Sequence, residues 1–162
     1  MLLIPVVNLE HIKVLPSTPF ITRGCEGECC SNITSNKILK DAPLFQYPDL
    51  SSKKVGVLKK DELFDLKKSE MYIRTNQYGS ALFEGKKITV YGAGEEGAVL
   101  GFDGKTISAF GGGSDECIAC ENSTYSYVAP KTEAWMKIYY GKNNFGWLKN
   151  DYAAFITPGA CN

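Results

Sequence analysis

The chain has 162 residues, 44% of them hydrophobic, with 18 Lys and Arg balanced by 18 Asp and Glu. That is enough apolar material for one sizeable core or two small ones, and too much for a disordered chain. Zero net charge argues against a basic groove for nucleic acid, and no apolar run is long enough to span a bilayer as a helix. Sixteen glycines, nine tyrosines, eight phenylalanines and repeated short alternating runs favour an all-β fold, because these residues suit strands and tight turns.

Residues 1 to 24 hold no clear period. Pro5, Pro16 and Pro19 interrupt short apolar runs, which predicts an extended arm with room for one edge strand. The opening Met1 to Val7 is apolar but shorter than a signal-peptide core. Cys25, Cys29 and Cys30 follow in a tight loop, and a direct Cys29–Cys30 bond would strain the intervening peptide. With Cys117, Cys120 and Cys161 they make an even set of six, more than a reducing compartment usually gives a chain of this size. Disulfides are therefore expected rather than zinc or free thiols. The expected location is periplasmic or extracellular, with any signal peptide absent from this sequence. Fifteen pairings are possible; a local Cys117–Cys120 bond would leave an amino-terminal cysteine to hold Cys161.

From Lys37 the chain changes character. Ile38 to Asp49 reads as a strand, a kink and a loop, with Pro48-Asp49 and Ser51-Ser52 as turn chemistry. Lys53 to Leu58 and Glu62 to Leu66 read as strands around the turn Lys59-Lys60-Asp61. Near the other end, Trp135, Lys137 and Tyr139 alternate with Met136, Ile138 and Tyr140, the period of two that sets one group on each face of a strand. Gly141, Asn143 and Asn144 supply a turn before Phe145-Gly146-Trp147-Leu148 returns, so this stretch is a predicted hairpin whose two tryptophans anchor a core.

The runs APLFQYPDLSSKKVGVLKKDELFDL and WMKIYYGKNNFGWLKN together resemble the bacterial SH3-like domain, in which a proline-containing loop leads to a Val-x-x-Leu-x-x-Gly turn and the last strands carry Trp-x-Lys-Val and Gly-Trp-Val. The resemblance covers about half the chain and departs at Asp61, where the family has its turn glycine; Asp tolerates a left-handed backbone at modest cost. In that family only a short loop separates the two halves, whereas here about 60 residues lie between Leu66 and Trp135. Within this insert Leu82 to Val90 repeats Leu58 to Leu66 at an offset of 24, with the turn glycine restored at Gly85. Asp103-Gly104 then marks a two-residue hairpin turn. The expected architecture is two small SH3-like barrels, the second inserted in or sharing strands with the first. Its parts would be an amino-terminal arm over 1–36, a discontinuous barrel over 37–75 and 126–156, an inserted β unit over 76–125, and a tethered tail over 157–162.

The motifs that suggest chemistry have plainer readings. Gly92-Ala-Gly94-Glu-Glu-Gly97 has the spacing of a dinucleotide fingerprint, yet no helix pattern follows and two glutamates would repel a phosphate, so a glycine-rich turn is expected and no cofactor. Cys117-x-x-Cys120 lacks the helix start that redox use wants and the zinc-knuckle glycine pattern that a metal site would carry. His11, the single histidine, lies in the arm, which leaves little for a Cys-His hydrolase; Glu95-Glu96 and Asp115-Glu116 fit solvated turns. Catalysis is therefore not expected.

Both faces of every strand cannot be buried in a small barrel, so Tyr47, Tyr125, Tyr127, Tyr139 and Tyr152 are the candidates for an exposed aromatic platform for a peptide or glycan. The resemblance implies a role of this kind, since members of that family bind cell-wall or other peptides in such a groove. The expected partner is peptidoglycan peptide or an envelope protein. An inhibitor or immunity-type protein is the alternative, with the loop from Gly111 to Cys120 as its plug.

Overall fold

A computed structural model of the chain describes residues 4–7, 12–23, 38–62, 69–83, 85–92, 99–104, 107–110, 128–140 and 144–149. Over these residues the fold is all-β. Its strands are β1 (Val6–Val7), β2 (Phe20–Arg23), β3 (Ala42–Phe45), β4 (Lys54–Leu58), β5 (Glu70–Gln77), β6 (Gly79–Phe83), β7 (Lys86–Gly92), β8 (Val99–Phe102), β9 (Ile107–Phe110), β10 (Lys131–Tyr140) and β11 (Asn144–Lys149). They form a seven-stranded mixed sheet in the order β1-β2-β5-β10-β11-β3-β4 and a four-stranded meander, β6-β7-β8-β9. Among the described residues neither sheet closes into a barrel, and no helix is long and apolar enough to cross a membrane.

The hairpin expected around the two tryptophans forms the middle of the large sheet. Tyr140 opposite Asn144 leaves three residues, 141–143, for the turn, so Asn144 opens β11 instead of belonging to the turn. β10 runs ten residues without Gly or Pro and pairs on both sides, with β5 and β11. Trp135 is wholly buried and Trp147 nearly so.

The amino-terminal stretch differs from the expected arm. Phe20 to Arg23 pairs along β5 as an interior strand, and Phe20, Ile21 and Thr22 are all buried. The prolines sit outside that strand, which leaves four consecutive residues free to pair. β1 is the short parallel edge beyond it.

β6 to β9 form their own sheet, entered from β5 through Tyr78 alone, while β5, also beyond Leu66, belongs to the large sheet. The two turns of the internal repeat share their backbone: Asp61 has φ of 67° and Gly85 of 76°, both left-handed. The Asp103-Gly104 hairpin is present with Gly104 at φ 98°, but Phe102 pairs with Ile107, so the loop is four residues long and not two.

Two core regions lie on one face of the large sheet, here called the inner face. In the first, Met136, Ile138 and Leu148 pack with Ala42, Leu44, Leu58 and Ile38, and Gly146 gives Leu44 and Val55 the room to curl over β11. In the second, Phe20 packs edge-on against Tyr91 of β7 with Phe102 and Tyr78 beside them, so this is where the meander covers the large sheet. A polar seam joins the same two elements. The Thr22 hydroxyl donates to the Gly92 carbonyl at 3.2 Å, and the Gly92 N–H donates to Thr75 Oγ1 at 3.2 Å, so two buried threonines satisfy the end of β7.

Candidate functional site

The outer face of the large sheet carries polar and aromatic side chains in cross-strand rows. Register sets Arg23, Tyr72, Trp135 and Lys149 in one row. Glu70, Lys137, Trp147 and Phe45 make the next, with Tyr139 opposite Phe145 beyond them. On the other side, Ile21, Arg74 and Glu133 form a row. Because directly opposite residues share a face, these side chains form one continuous surface.

One half of that surface is covered. Trp135 packs with Phe45, Ile21, Tyr72, Trp147 and Ile4, and its indole N–H donates to Glu133 Oε2 at 3.1 Å. The loop joining β3 and β4 leans in from the far side: Arg74 on β5 donates from Nη1 to the Pro48 carbonyl at 2.6 Å. β5 and β3 are three strand spacings apart, roughly 14 Å, so the loop has to fold over the face for that bond to form. Its own bonds keep it compact. Ser52 Oγ donates to the Asp49 carbonyl, and two hydrogen bonds from Ser51 hold the Asp49 carboxyl below the usual range. Glu133 lies beside Arg74 at 3.9 Å and Lys149 at 3.7 Å, so this half is a fixed network.

The other half is open. Phe145 is 43% exposed, the Tyr139 ring lies 6.0 Å from it, and the Lys137 ammonium sits 4.2 Å above the Phe145 ring centre. Beneath them Trp147 makes an edge-on contact with Tyr72 at 5.0 Å. The Tyr72 phenol donates to Glu70 Oε2 at 2.6 Å. Burial first, then the bond to Glu70 and its negative charge, push this phenol up to about 12, so it stays a neutral donor at physiological pH. The open half thus offers apolar ring surface, an ammonium and a carboxylate on three paired strands. Such a surface can hold an extended chain with apolar and charged groups.

Of the tyrosines named from the sequence, Tyr139 belongs to this open half. Tyr47 is half-buried in the β3–β4 loop, where its carbonyl accepts from Asp49 N–H and Ser52 Oγ. Tyr125, Tyr127 and Tyr152 lie outside the described residues, as do all six cysteines, His11, the Gly111 to Cys120 loop, and Gly94 and Gly97 of the glycine motif. Glu70, Tyr72, Lys137, Phe145 and Trp147 were not in the expected platform. The pairing of Phe145 with Tyr139 follows from the three-residue turn; the turn expected from the sequence, which included Asn144, would have set Phe145 opposite Tyr140.

No protein-family model, no curated protein and no solved structure matches the chain.

Proposed function

We propose that the chain is an exported, non-catalytic binding module that holds a cell-wall stem peptide on the open half of its outer face. In this reading its two sheets are two SH3-like units, the second inserted into the first, and cysteine pairing fixes the scaffold in the periplasm or outside the cell. The observation that carries the reading is the Tyr139–Phe145 pair. A phenylalanine nearly half exposed on a paired strand, with an ammonium laid on its ring, is apolar surface that the fold leaves uncovered. The rigid network around Glu133 and the tied-down loop support it from the side, so little ordering is required when a ligand arrives.

Co-sedimentation with purified sacculi tests the reading. The protein is expected in the pellet, and Phe145→Ala should lower the bound fraction about fivefold or more, as loss of a central aromatic anchor does, while leaving the circular dichroism spectrum unchanged. Protein that stays in the supernatant, or that captures a single protein from a lysate instead, contradicts it.

A further inference from the structure

Lys137 is poorly used by the fold. Cross-strand pairing sets it opposite Glu70, yet the Glu70 carboxylate turns to the Tyr72 phenol and the ammonium leans over Phe145. Among the described residues it forms no ion pair. A cation over a ring face is held by the ring's quadrupole, a contact that occupies no oxygen acceptor and leaves N–H donors for a ligand's carboxylate. Arg23, two strands away on the same face and exposed, also has no carboxylate partner among the described residues. Among the described residues, the charges on the row that carries Lys137 and Glu70 are those two, with Arg23 one row away beside Tyr72, and Glu70 already accepts a hydrogen bond.

We propose that Lys137 is the specificity-determining residue of this face, receiving a free carboxylate of an extended peptide whose neighbouring apolar group lies on Phe145 and Tyr139. This rests on the cell-wall reading and sharpens it to a peptide bearing a carboxylate. The ammonium is positioned before the ligand arrives, so the pair forms without the loss of side-chain freedom that weakens surface ion pairs. Glu70 disfavours a multiply charged anion at the same spot and suits a ligand that carries an amine beside its carboxylate. The tyrosine hydroxyl of Tyr72 is committed to Glu70, which leaves the carboxylate to Lys137.

The test is titration calorimetry with L-alanyl-γ-D-glutamyl-L-lysine, amidated at its carboxy terminus, with the glutamyl α-carboxylate either free or amidated. The free acid is expected to bind about tenfold tighter than the amide, with affinity falling as salt rises. Lys137→Met, which keeps the stem over Phe145, should bind both forms equally weakly, and Lys137→Arg should retain most of the preference. Thermal midpoints of the variants report whether they fold as the parent does. Equal binding of acid and amide by the parent, or a Lys137→Met variant that keeps the preference, overturns the assignment; if sacculi are still bound, the cell-wall reading survives it. A parent protein that binds neither sacculi nor peptide overturns both.

Discussion

Gly92 shows how much a single position sets in this molecule. A Cβ there would lie 2.6 Å from Thr132 Cγ2 and 2.7 Å from Ile73 Cγ2, both on β-branched side chains with little rotamer freedom. The same residue is bonded through its N–H and its carbonyl to Thr75 and Thr22. Gly92→Ala is therefore expected to lower stability by about 1–3 kcal/mol, the usual cost of overpacking, read from the midpoint of urea unfolding. An unchanged midpoint would mean that the two sheets do not meet as closely as described. This role was hidden in the sequence, where Gly92 looked like the start of a glycine-rich turn. Asp61 is the opposite case: its left-handed backbone followed from its place in the repeat with Gly85.

At the scale of elements, a run of alternating residues closed by turn residues was legible and a run without that period was not. The β10–β11 hairpin announced itself through its period of two and its turn residues. β5 runs Glu-Met-Tyr-Ile-Arg-Thr-Asn-Gln, with Tyr72 buried toward one face and Thr75 toward the other, so hydrophobicity alone gave no period. β2 is short and follows three prolines, and its burial comes from pairing with β5, a partner about 50 residues away. The β3–β4 loop was legible as turn chemistry, but its docking over the outer face depends on Arg74, which is distant in sequence. Arg74→Met should leave the loop's internal bonds intact and release it from the sheet. The expected loss is about 1–3 kcal/mol for the part-buried, charge-assisted hydrogen bond to Pro48, with tryptophan fluorescence more readily quenched by acrylamide as Trp135 becomes accessible. Quenching equal to that of the parent would show that the loop is held by other contacts.

Over the whole molecule, the all-β class follows from composition, turn residues and short alternating runs. The mode of assembly does not. The meander covers the inner face of β2 and β5 through the Phe20, Tyr78 and Tyr91 cluster and the threonine seam, all of which join segments far apart in the chain. That arrangement leaves the outer face as the surface on which the central strands meet solvent, and it explains why the open aromatic half falls there and not between the sheets. The sequence pointed to exposed aromatics on this hairpin but favoured tyrosines, since a phenylalanine is more often buried; Phe145 is exposed because it is the first outer-face residue of β11, one position after the turn pair.

Backbone amide chemical shifts recorded during titration with soluble cell-wall peptide fragments locate the binding face directly. If the outer face binds them, shifts should concentrate at residues 70–72, 137–139 and 145–147 and leave β6 to β9 unmoved. Shifts confined to the four-stranded meander, or none at saturating peptide, would contradict a binding face built on the central hairpin.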